Sequence, residues 1–249
     1  MLWEELAARW SNYQPPLIPS ERDVATYRAA LDGRDGHVLL LGVTPQLAGL
    51  GAQLTALDAS AAMIALVWPG DTPSRQALLG NWLNDLPADR QFTATITDGG
   101  AIYLRWPDEY VLLFDRLKAV CVPGFRLVMR GHYSENVQQE PCFDRLAADI
   151  ASGAASDPEA IKHRVGHALV ARSGDPNFRI STMVEIALDM LRDRPALRDR
   201  MISAPHRQLD TTFSFPTRAQ TITLLEELGY RFAAEDRDRS DAFVVCDAP

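Results

Sequence analysis

The sequence has little that would staple it, insert it into a membrane or steer it onto nucleic acid. Its cysteines are Cys121, Cys142 and Cys246, odd in number, far apart and without a CxxC pair. That pattern argues against a disulfide framework and a zinc site, and suits a reducing cytoplasm. No run approaches the roughly 18 apolar residues that a transmembrane helix needs. Met1-Leu-Trp-Glu-Glu-Leu6 puts acid and Trp where a signal peptide has basic residues and then an apolar stretch, so neither membrane spanning nor secretion is expected. Basic charge is scarce as well. Twenty-five Lys plus Arg face 33 Asp plus Glu, a formal charge of −8 without a long basic run, so no nucleic-acid partner is expected. Low-complexity tracts and fixed-period repeats are absent.

What remains is 249 residues, 47% of them hydrophobic and 23% charged. A chain of this length buries about three quarters of its unfolded surface and needs no staple. Gln14-Pro-Pro-Leu-Ile-Pro19 marks an arm, and Ser20 with Asp23 three residues later is a capping signal for a helix over Val24 to Leu31. His37-Val-Leu-Leu-Leu41 is short, apolar and flanked by turn residues, as a strand buried on both faces would be. In Gly42-Val-Thr-Pro45, Thr44 and Pro45 fit the cap and first turn of a short helix.

Further strands are expected at Gln53 to Leu57, which stops on Asp58, at Ala77 to Gly80, at Phe92 to Thr97 and at Phe125 to Met129. Ser60 can cap a helix through Met63, Ile64 and Val67, and helical spacing runs from Val111 to Cys121. Strands alternating with helices specify a parallel α/β sheet. Residues 140 to 204 show only helical signals, including Asp157-Pro158 as a cap and Thr182 to Glu185 as a capping box. A second box, Thr217 to Gln220, then opens a helix ending at Gly229. Tyr230 to Glu235 and Ala242 to Cys246 close the chain as a hairpin.

The order of these features resembles the class I S-adenosylmethionine (SAM)-dependent methyltransferases, over about residues 20 to 131 and 215 to 249. Within that family Leu41-Gly42-Val43-Thr44-Pro45 is similar to a subset carrying Gly-Val-Thr-Pro in place of the glycine-rich first motif. A dinucleotide needs several glycines beside its pyrophosphate, whereas SAM has no phosphate, so losing GxGxxG hurts an NAD reading more. The resemblance implies a Rossmann-like, seven-stranded, mostly parallel sheet with helices on both faces, a C-terminal antiparallel hairpin and a helical insertion after strand five. It implies four segments: an arm and helix at 1–35, the SAM-binding core at 36–139, the insertion at 140–214 as lid or interface, and the rest of the core at 215–249.

It also implies the cofactor, SAM with S-adenosylhomocysteine (SAH) as product, and the residues around it. Gly42, Val43, Thr44 and Pro45 form the loop, and Asp58, with Ala59 beside it, accepts from the ribose hydroxyls. Met63 packs on adenine. Asn81 stands where the family usually has an acid on the adenine amine, with the backbone of Trp82 on the ring. Asp98 and Gly99 end the fourth strand near the methionine part of SAM. Each has a plainer reading: Asp58 as a helix cap, Met63 as core, Asn81 as a turn residue, Asp98-Gly99 as a tight turn.

For the acceptor, His132 and Tyr133 follow the fifth strand at the edge where open α/β sheets bind substrates. Trp10 and Tyr13, with Trp3, could fold the arm over the cofactor or merely pin the arm to the body. His163 and His167 have metal-chelating spacing but no third ligand, and read as a surface helix face; no metal is expected. The expected partner is a small-molecule substrate, with a homodimer possible. The competing functions are a catalytically inactive SAM-fold scaffold and, through Asp58 alone, an NAD-dependent oxidoreductase.

Overall fold

The computed structural model describes residues 2–15, 17–131, 133, 142–202, 211–232 and 243–249. Seven strands form one sheet: β1 (His37–Leu41), β2 (Gln53–Asp58), β3 (Arg75–Leu79), β4 (Phe92–Asp98), β5 (Cys121–Arg130), β8 (Arg231–Phe232) and β9 (Phe243–Asp247), in the order β3-β2-β1-β4-β5-β9-β8. The ladders from β3 to β5 are parallel, and β9 runs antiparallel to both β5 and β8. The chain builds outward from β1 through β2 to β3, then crosses back to β4 and β5 on the other side of β1. The order therefore reverses between β1 and β4, where a crevice opens at the carboxyl ends of the strands.

The continuous apolar run of β1 is explained by burial on both faces. Leu39 and Leu41 join a core with Leu113, Phe114 and Leu117 of α4 (Asp108–Val120) and Leu225 of α9 (Arg218–Glu227). Val38 and Leu40 join a second core with Tyr27 of α2 (Glu21–Ala30) and Met63 of α3 (Ala61–Leu66). The expected Rossmann-like sheet, the hairpin and the helices on both faces are all present; the hairpin's turn, 236–240, lies outside the described residues.

Local chemistry set most of the helix starts. Ser20 and Asp23 form a reciprocal capping box on α2, and Thr217 and Gln220 form one on α9. Ser60 caps α3, and Asp157 caps α6 (Pro158–Ser173) with Pro158 in its first turn. The Thr182 box was misplaced. Helix α7 runs Ile180–Met190 and is capped three residues earlier, at Arg179, because Asn177–Arg179 is a strand, β6, that feeds straight into it.

That strand pairs antiparallel with β7 (Thr212–Ser214), so the insertion is not wholly helical. Strands of three residues are too short to show a period of two, which is why the sequence hid them. Alongside α5 (Phe143–Ser152), α6, α7 and α8 (Pro195–Ile202), the small sheet supplies Phe213 to a third core, separate from the two that flank the main sheet. Helix α1 (Leu2–Ala8) in the arm was likewise not anticipated. No helix among the described residues is long and apolar enough to cross a membrane.

Candidate active site

A cavity of about 400 Å³ opens at the switch point. Its floor is made by the strand ends. Gly42, Val43 and Thr44 follow β1, Asp58 ends β2 with Ala59 after it, Asn81 and Trp82 follow β3, and Asp98 ends β4 with Gly99 after it, with Met63 of α3 beside them. Trp10 and Tyr13 of the arm line the same space. Two expected positions do not. Pro45 starts a turn behind Thr44, and Tyr133 is buried in the α4 core, its ring against Gly131. His132 lies outside the described residues.

Gly42 adopts φ +106°, a conformation that favours glycine, and its N–H donates to Leu57 O at 2.9 Å. The helix expected after Thr44 is only a three-residue 310 turn, Pro45–Leu47, and the Thr44 hydroxyl makes no capping bond to it.

At the end of β2, Asp58 Oδ1 accepts from Ser60 N at 2.8 Å, while Ser60 Oγ takes the capping bond from Met63 N. Ser60 is thus the cap, and the other oxygen of Asp58 has no hydrogen-bond partner among the described residues. Burial pushes the Asp58 carboxyl up from its ordinary range to about 6, opposed by the Ser60 amide. Met63 serves core and cavity at once.

Asn81 does make the turn that its plainer reading foresaw. Its Oδ1 accepts from Leu83 N at 2.7 Å, and its own N–H donates to Asp85 Oδ2 at 2.8 Å. The Trp82 side chain reaches further than its backbone. The indole N–H donates to Leu57 O at 2.7 Å, and the ring lies across the gap towards Gly100.

Asp98 is held differently from expectation. Its carboxylate, 3% exposed, pairs with Arg130 Nε from the end of β5, and Tyr27 Oη lies 3.2 Å away. Burial raises its pKa, and the Arg130 and Tyr27 bonds oppose the rise. Gly99 turns the chain at φ +68° and donates to Arg130 O.

Sequence reasoning missed Arg130 and Tyr27, and it missed the insertion's share of the cavity. Glu159, Lys162 and His163 of α6, with Phe213 and Phe215, complete the walls. Lys162 is 1% exposed and its Nζ meets Glu159 Oε1 at 2.7 Å. The surface-face reading of His163 and His167 is corrected, since both rings pack on Phe215 and His167 is buried, its pKa lowered to about 3. The signal was there in part, as α6 places Ile161, Val165 and Leu169 on one buried stripe with His167 beside it. Among the described residues no three His, Cys, Asp or Glu side chains are grouped to hold a metal ion.

No protein-family profile and no curated protein sequence matches this chain. Solved structures do match in fold. DhpI in complex with SAH aligns over 99% of this chain and 94% of that one, at 17% identity and a TM-score of 0.57. The CcbJ methyltransferase from Streptomyces caelestis aligns over 100% and 98%, at 11% identity and 0.58. A Rhodobacter sphaeroides protein assigned to the Zn-dependent alcohol dehydrogenases aligns over 99% and 96%, at 12% identity and 0.62. At these identities the likeness establishes the Rossmann-like fold, including the region of the insertion.

Proposed function

We propose that the protein is a SAM-dependent methyltransferase acting on a small-molecule acceptor. The observation that carries this reading is Asp58. It stands at the carboxyl end of β2 on the wall of the switch-point cavity, one oxygen fixed by Ser60 and the other available to accept. A carboxylate so placed accepts the hydroxyls of a nucleoside ribose. The rest of the floor suits a nucleoside without a pyrophosphate, since the first turn has Gly42 alone and is followed by a 310 turn in place of a helix N-terminus. That disfavours the NAD alternative.

Bound SAM would supply an electrophilic methyl carbon on a sulfonium. Asp58 would hold the ribose and Met63 would pack on the adenine, with Gly42 giving close backbone approach. Asp98, already paired with Arg130, would keep the end of β4 rigid and bring no net charge to the sulfonium. The arm and insertion line the cavity opposite the strand ends, so positioning would supply much of the rate. The insertion's contribution of Glu159, Lys162 and Phe215 to that wall favours the lid reading of 140–214 over an interface.

Calorimetric titration with SAM, SAH and NAD tests this. Saturable binding of SAM and SAH, none of NAD, and loss of binding in Asp58→Ala are expected. NAD binding without SAM binding would replace the reading with an oxidoreductase, and SAM binding untouched by Asp58→Ala would remove its central residue.

A further inference from the structure

The half of the cavity built by the arm and the insertion is made of rings around one ion pair. We infer that it takes an uncharged aromatic acceptor bearing a hydroxyl, which is methylated on oxygen; the inference rests on the methyltransferase reading above.

Charge excludes anionic acceptors first. The buried charged side chains here are matched within the protein. Lys162, one of only two lysines in the chain, meets Glu159 at 2.7 Å. Asp98 is paired with Arg130. Glu109, in the first turn of α4, takes only the Arg105 backbone N–H on Oε2, at 2.6 Å, and so adds negative charge to the wall. A carboxylate or phosphate acceptor would bring in a negative charge with no cation waiting, which desolvation disfavours.

Shape selects a ring. Tyr103 meets Phe213 edge-on with centroids 4.9 Å apart, and Phe213 stacks on Phe215 at 22°. Flat, apolar faces of this kind favour a planar partner.

Hydrogen-bonding capacity selects the hydroxyl. Around the ion pair stand the phenols of Tyr13 and Tyr103. Burial and the nearby Glu159 carboxylate raise both of their pKa values, that of Tyr13 to about 12, so both remain O–H donors. With Lys162 the wall is rich in donors and has Glu159 as its acceptor. A hydroxyl oxygen accepts two bonds and donates one, whereas an aromatic amine donates two and accepts poorly. In the transfer, a lone pair on the acceptor oxygen forms the new C–O bond. The S–CH3 bond breaks with its electrons staying on sulfur, giving the neutral thioether SAH, and the hydroxyl proton passes to Glu159.

The test uses the full chain saturated with SAH, titrated calorimetrically with 2-naphthol, naphthalene, phenethylammonium and 3-phenylpropionate. We expect 2-naphthol to bind at least about tenfold more tightly than each of the others, with its advantage over naphthalene lost in Glu159→Gln. Tighter binding of either ion, or no advantage over naphthalene in the unmodified protein, overturns the inference while SAH binding keeps the methyltransferase reading. An advantage that survives in Glu159→Gln, with SAH affinity unchanged, also overturns it. Failure to bind SAH at all removes the parent reading instead.

Discussion

The carboxylate of Asp98 and the guanidinium of Arg130 meet across the carboxyl ends of β4 and β5, with only 3% and 6% of their side chains exposed. Asp23 of the α2 capping box stands 4.0 Å from the same guanidinium, so the pair ties both strands to the helix that follows the arm. A buried pair of this kind adds little net stability, but removing one partner strands the other charge, at about 3–5 kcal/mol. Asp98→Asn is therefore expected to lower the urea unfolding free energy by that amount, and the double variant Asp98→Asn, Arg130→Met to recover much of it. A loss under about 1 kcal/mol in the single variant would mean that the pair is hydrated in solution.

Asp58 predicts a pH dependence with a definite sign. Its folded-state value of about 6 lies above the ordinary 3.8, so ionised Asp58 opposes folding above pH 6, an opposition that fades as pH falls through that window. Asp58→Asn is expected to unfold at higher temperature than the parent near pH 8 and to match it near pH 3.5. Binding has the opposite sense, because the carboxylate is the form that accepts from ribose. SAM affinity should be flat above about pH 7 and fall about tenfold per unit below 6. A fall beginning only near pH 4 would show Asp58 to be better hydrated than its cavity position implies.

Trp82 can be probed through the glycine facing it. A Cβ on Gly100 would stand 2.4 Å from the Trp82 ring, closer than atoms tolerate, and the ring is pinned by its bond to Leu57 O. Gly100→Ala is expected to cost about 1–3 kcal/mol, as overpacking does, and to weaken SAM binding by pushing the indole out of place. In Trp82→Phe, Gly100→Ala the smaller ring should restore part of both losses. Equal losses in the single and double variants would show that the clash is with something other than the indole.

The floor of this cavity was legible because backbone order and turn chemistry wrote it. Gly42, Asp58, Asn81 and Asp98 each close a strand of the parallel series, and a strand's end is visible as the place where an apolar run meets a polar turn. What those side chains bond to was not legible. The partner of Asp98 is Arg130, 32 residues away. In sequence Arg130 reads as the polar end of a strand, and nothing local announces a buried pair. Asn81 lines the cavity as the family pattern implies, and its oxygen also serves Leu83, a contact two residues away that the plainer reading supplies. The insertion's wall was hidden for a third reason. Its cavity residues sit on α6 and on or just after the short strand β7, brought together by apolar packing that sequence periodicity does not orient.

The arm closes the cavity through Trp3, whose ring stacks at a tilt on Tyr103 with centroids 4.9 Å apart, while Tyr103 packs edge-on against Phe213 of the insertion. Arm, core and insertion thus meet at one phenol next to the proposed acceptor. Aromatic pairs contribute about 0.5–1.5 kcal/mol beyond their area, so Trp3→Ala is expected to raise the KM for the acceptor several-fold while leaving SAM affinity within about twofold. Side chains sharing a partner couple when both are changed, so Trp3→Ala combined with Phe213→Leu should cost less than the two single changes added. Strict additivity, or an equal loss of SAM and acceptor binding, would show that the arm covers the whole cavity as one rigid piece and that Tyr103 is not the joint.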